Sequence, residues 1–151
     1  MRLPWIVSIF FLMVSPASAD WQYTKWGMTQ DQVIAASKGE ARKVNPGPNF
    51  VCNDKQIPFA AIQKKVIGDF SFDVIFCSKM QGGPLTSVRL DSNDNVNVYS
   101  LKRALLAQFG RPASDRGDTT IWNDQKSGNT ISLFITLGTS ILEYRSNKSG
   151  F

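Results

Sequence analysis

No histidine occurs anywhere in the 151 residues, and this absence excludes more chemistry than any other feature of the chain. Ser-His-Asp and Cys-His nucleophilic arrangements and histidine-ligated zinc all require an imidazole. The sequence also lacks Ser-x-x-Lys, Gly-x-Ser-x-Gly and Gly-x-x-x-x-Gly-Lys, so three further routes to an activated nucleophile or a phosphate cradle are missing. Only two cysteines are present, too few for a thiolate metal cage. The 12 Asp and Glu are spread along the chain without a distinctive cluster, which leaves hydrolysis by paired carboxylates as the remaining catalytic route. No cofactor or metal site is expected, and the chain reads as a non-enzyme.

Long hydrophobic runs are equally scarce. The one apolar stretch, Leu3 to Val14, is well short of the roughly 20 residues that span a bilayer. It follows a single cation, Arg2, and precedes Ser15-Pro16-Ala17-Ser18-Ala19. These are the three regions of a secretory signal, with Ala17 and Ala19 at the positions a signal peptidase reads. Residues 1–19 are therefore expected to be a cleaved signal peptide and residues 20–151 a single domain, periplasmic or secreted, with no integral membrane segment after cleavage. No cysteine follows the cleavage site, so a lipidated amino terminus is not available. About 130 residues remain, enough for a real hydrophobic core.

Cleavage removes only Arg2 among the charged residues, leaving the mature chain one unit below the +5 of the whole sequence. The cations are scattered, in short pairs such as Arg42-Lys43, Lys64-Lys65 and Lys102-Arg103, so no nucleic-acid footprint is expected. Cys52 and Cys77 would meet an oxidising compartment after export, and an even count favours a disulfide between them over two free buried thiols. Such a bridge would contribute about 3–4 kcal/mol in the chain-entropy model.

Local patterns define an α+β chain. Thr29 and Gln32 form a capping box, and Met28 and Val33 occupy the staple positions of a short helix that Gly39 stops. Residues 39–58, broken by Pro46, Gly47, Pro48 and Pro58, read as a long irregular loop. Phe70, Phe72, Val74 and Phe76 alternate with Ser71, Asp73, Ile75 and Cys77, the period of a half-buried strand. Runs at 62–67 and 85–90 flank it across Gly68-Asp69 and Gly82-Gly83-Pro84. Val98, Leu101, Leu105 and Phe109 then line a second helix that Gly110 and Pro112 end, and strand-like runs follow at 119–123, 129–136 and 139–145. The expected order is α-βββ-α-βββ: an antiparallel sheet of about six strands, both helices on one face, the other face polar, and one unit used twice.

Candidate site residues are few. Arg42, Lys43 and Phe50 in the long loop could contact a partner, against the plainer reading of a solvated loop. Trp26 and Trp122 could be binding aromatics, but their places beside a helix start and in a strand point to core packing. Asp91, Asn93 and Asn95 match the first ligands of a calcium loop, yet Val96 stands where that loop needs glycine and Lys102 where it needs a carboxylate, so a polar turn is the better reading.

The run Trp26-Gly27-Met28-Thr29-x-x-Gln32-Val33, with the later Leu105-x-x-x-Phe109-Gly110-x-Pro112, resembles a group of small exported bacterial proteins similar to the β-lactamase-inhibitory-protein fold and the SmpA/OmlA assembly lipoproteins. That resemblance implies a short helix pair packed on an antiparallel sheet and a function by protein contact instead of catalysis. The chain departs from the lipoproteins in having no lipidated cysteine and two helix-plus-sheet halves where they have a single small unit, and from the inhibitors in lacking their aromatic-rich surface. The leading expectation is an exported protein-binding module, an inhibitor or envelope accessory, with an envelope protein as partner. The alternative is a carrier of a small apolar ligand, with a pocket at Phe70, Phe72, Val74 and Phe76; a carboxylate hydrolase is third.

Overall fold

A computed structural model describes residues 20–93 and 96–148. The signal peptide expected at residues 1–19 lies outside the described residues. A two-stranded ribbon, β1 (Asp20–Trp21) and β2 (Thr24–Lys25), leads into helix α1 (Gln30–Ala36). Strands β3 (Arg42–Lys43), β4 (Ile57–Ile67), β5 (Phe70–Ser78) and β6 (Ser87–Ser92) follow, then helix α2 (Val98–Phe109). Strands β7 (Ser114–Asp115), β8 (Thr119–Asp124), β9 (Asn129–Thr136) and β10 (Thr139–Ser146) complete the order.

Each helix starts where a side chain satisfies the orphan amides of its first turn. Thr29 and Gln32 cap one another reciprocally at α1, as the sequence predicts. At α2 the Asn97 side-chain Oδ1 accepts from the amides of Tyr99 and Ser100, at 3.1 and 3.0 Å. Lys38 and Gly39 both turn into the left-handed region after α1, and the missing Cβ makes that conformation cheap at Gly39.

The main sheet is antiparallel and has eight strands in the order β3-β4-β5-β6-β10-β9-β8-β7. The expectation of about six strands is corrected: the six long strands are present, and β3 and β7 add one short strand at each edge. Two residues are too few to display a period, so neither edge strand is visible in a pattern. Each helix is thus followed by a four-strand meander, and the two meanders join where their final strands, β6 and β10, pair antiparallel, with Leu90 opposite Leu142.

Register fixes what each face carries. On the inner face Val74 lies opposite Leu90, Leu90 opposite Leu142, Leu142 opposite Leu133, and Leu133 opposite Thr120. Val33 of α1 and Leu101 and Leu105 of α2 belong to the same core cluster as Phe72, Phe76, Val88, Ile131 and Trp122. Trp26 and Trp122 are core residues, and their indole N–H groups donate to Asn129 Oδ1 and to the Gly110 carbonyl, each at 3.0 Å.

The outer face is not simply polar. Ile75 and Cys77 point outward and are fully buried, in a second cluster with Cys52. Their cover comes from residues 44–56, the segment between β3 and β4, which the Cys52–Cys77 disulfide ties to β5 with Cα atoms 6.1 Å apart. The expectation of a polar outer face is therefore corrected at the insert, because alternation along β5 does not reveal that an aperiodic segment lies over Ile75.

Candidate functional site

Two concave surfaces lie on opposite faces of the sheet. The inner one is a cleft of about 530 Å³ beside α2, floored by Phe72, Leu90 and Leu142 and walled by Leu101, Leu105 and Phe109. It exists because the inner face is wider than two short helices can cover: α1 has seven residues and α2 twelve. Trp21 from the ribbon and Phe70 from the start of β5 close its sides, and Trp21 meets Phe76 edge-on at 5.8 Å between ring centroids. Asp124, Ser127, Asn129 and Tyr144 form a polar end, and Asp69 lies in the β4–β5 turn.

The polar end is held firmly. Asp124 accepts from the Lys126 amide at 3.1 Å and from Ser127 Oγ, while Asn129 accepts from Trp26. Burial, reinforced by the nearby Asp124 charge, pushes the Tyr144 hydroxyl up to about 12, so it remains protonated and can donate.

The outer surface is a groove of about 660 Å³ over β8, β9 and β10, lined by Thr119, Thr130, Ser132, Phe134, Ile141 and Glu143. Its rim at the insert is an ionic network. Glu143, only 3% exposed, pairs with Arg145 and accepts from Asn53 Nδ2. Arg145 also pairs with Asp54, and Arg89 reaches Asn53 and Asp91. Burial works against the charge of Arg145, but its bonds to Glu143 and Asp54 outweigh it and raise its pKa. Glu143 and Asp54 are thus engaged by one guanidinium, an arrangement that anchors the insert to β10.

The residues proposed from sequence for partner contact do not converge. Arg42 and Lys43 are exposed on the edge strand β3 and, being consecutive, point to opposite faces. Arg42 borders a shallow basic depression with Lys64 and Lys65, whereas Lys43 borders another with Gln30, Pro46 and Met80. Phe50 is half-buried against the cluster of Cys52, Ile75 and Cys77 instead of standing out as a docking aromatic. Of the calcium-loop residues, Asp91 engages Arg89 and Asn93 accepts from Ser71, while Asp94 and Asn95 lie outside the described residues. Among the described residues no group of three acids or cysteines is placed to hold a metal ion. No described helix is long and apolar enough to cross a membrane.

Phe70, Phe72, Leu101, Leu105 and Phe109 are all legible as apolar-face residues, but the space between them is not. Trp21, Asp69 and Asp124 carry no signal of their own, since their part in the cleft depends on pairing between distant segments. No protein-family model, curated protein or solved structure matches this chain.

Proposed function

We propose that this chain is an exported, non-catalytic binding protein that carries a small, largely apolar molecule in the cleft beside α2. The observation that carries the reading is the cleft itself: about 530 Å³, with aromatic walls and polar groups gathered at one end. Ligand sites are typically about 300–1,000 Å³ and have this division of apolar wall and few polar contacts. Export is supported by the signal pattern of residues 1–19 and by the disulfide, which persists in oxidising compartments. The absence of histidine and the engagement of Glu143 and Asp54 by Arg145 support a binding role over a hydrolytic one.

The two helix-plus-meander halves support reading the fold as one unit used twice, with both helices on the inner face. Native mass spectrometry of the purified protein tests the ligand reading. A retained small molecule, lost when Ala104→Trp fills the mouth of the cleft from an exposed helix position, is the expected result. A protein that never retains one, and binds no apolar probe, overturns it.

Docking on an envelope protein is the second reading, and Leu137 favours it. This side chain is fully exposed at the tip of the β9–β10 hairpin, on a backbone with a φ of 47°. A leucine gains nothing from either circumstance in the isolated molecule. Crosslinking in the native envelope that captures one dominant protein, and loses it in Leu137→Asp, would establish this reading.

A further inference from the structure

The charge pattern of the inner cleft identifies the class of ligand it suits, an inference that rests on the cleft being the binding site. The whole chain is basic, with 17 Lys and Arg against 12 Asp and Glu. Yet the described residues around the cleft include Asp69 and Asp124 and not one Lys or Arg. A fatty acid or other apolar anion would bring its charge into a partly dehydrated space with no cation to receive it. It would also meet the field of two carboxylates.

The walls reinforce the same preference. Trp21, Phe70, Phe109 and Tyr144 offer π faces and edges around the trough, and ring faces attract ammonium groups, most strongly where water is excluded. The trough follows α2 from Leu101 to Phe109, about 12 Å along the helix axis. This is room for an alkyl chain or fused rings with a head group at one end.

Register separates the two acids. Asp69 precedes the start of β5, at the end of the sheet where Phe72 faces Ser92. Asp124 faces Asn129, at the opposite end. A molecule lying in the trough therefore finds a carboxylate near either terminus, but only Asp124 is accompanied by Tyr144, Ser127 and Asn129. The bonds from Ser127 Oγ and the Lys126 amide fix the position of the Asp124 carboxylate. The neutral Tyr144 hydroxyl beside it adds no competing charge.

We propose that the cleft beside α2 binds an apolar cation, an amine or quaternary ammonium carried on an aliphatic or ring body, with the cationic head at Asp124 and the body along Phe72, Leu90 and Phe109. Selection would be local and opposed to the net charge of the protein, which attracts anions to its surface generally.

Calorimetric titration of the purified protein with dodecyltrimethylammonium and with dodecanoate, each below its micelle concentration, provides the test. The ammonium compound should bind about tenfold or more tightly than the carboxylate. The preference should collapse in Asp124→Asn, which keeps an acceptor for the turn, and persist largely unchanged in Asp69→Asn. Ala104→Trp should weaken both ligands alike. Equal affinity, or stronger binding of dodecanoate, overturns the cationic assignment and leaves the cleft as a site for neutral or anionic ligands. Failure of both compounds, together with no effect of Ala104→Trp on a neutral probe such as dodecanol, overturns the cleft reading itself.

Discussion

The two halves of the molecule run through the same order of elements and differ most in one connection. In the first half the chain passes from β3 to β4 through residues 44–56; in the second it passes from β7 to β8 through 116–118. The longer connection folds back over the outer face, buries Ile75 and Cys77, and is fastened by the disulfide and by Asn53 and Asp54. The shorter one is held by Asp115, which accepts from the Gly117 amide and from Lys102 at 2.9 Å, so that its carboxyl lies below the usual range. The first half thus has part of its outer face covered, whereas the second leaves its outer face open. A single insertion is enough to make two equivalent frameworks present different surfaces to a partner.

Removing the fastening should break this contrast most sharply. The Cys52→Ser, Cys77→Ser double variant is expected to lose about 3–4 kcal/mol in urea unfolding. Limited proteolysis should then cut within 44–56 before any other described segment. Cleavage that still begins elsewhere would mean that the ionic contacts alone hold the insert.

A pH titration probes the same contrast at the inner face, because each half contributes one shifted tyrosine. Burial first, and then Glu40, pushes Tyr23 up to about 12; burial first, and then Asp124, does the same for Tyr144. The neutral phenol is the form the fold prefers, so this contribution is complete below pH 10 and is lost as pH rises from about 10 to about 12. The loss through Tyr144 should be on the order of 2 kcal/mol. Tyr144→Phe should flatten that part of the stability profile and leave the part due to Tyr23, whose hydroxyl is buried without a hydrogen-bond partner among the described residues. An unchanged profile in the variant would show that Tyr144 ionises no later in the folded chain than in the unfolded one.

The smallest effects belong to the caps. Thr29→Ala and Asn97→Ala should each cost about 1 kcal/mol in thermal or urea unfolding. Similar values would indicate that both helices are anchored alike despite their different lengths. A much larger cost at Thr29 would mark α1 as the element on which its half depends.

Much of this architecture can be read from side-chain periodicity, and the exceptions share a cause. Phe70 to Phe76, Ile131 to Ile135 and Val98 to Phe109 each repeat long enough to reveal their type and inward face. The strand reading at 62–67 begins five residues late, since Pro58, Ala60 and Ala61 give no alternation, and a bulge at Lys64 interrupts it further. The edge strands are too short to repeat. The burial of Ile75 is not legible because its cover comes from a segment without a pattern, and the cleft is a gap between elements, which leaves no mark on any one of them.

The pairing of β6 with β10 also sets a timetable. As the polypeptide emerges, β3 to β6 can assemble early, but β6 then presents an unpaired edge until α2 and the other meander have been made. The strand that satisfies it is the farthest downstream of all the described strands. Closure of the sheet is therefore a late, long-range event, slower than any hairpin within either half. Under the export proposed above, such a delay would favour passage of an unfolded chain, because the two halves cannot lock together until β10 has crossed.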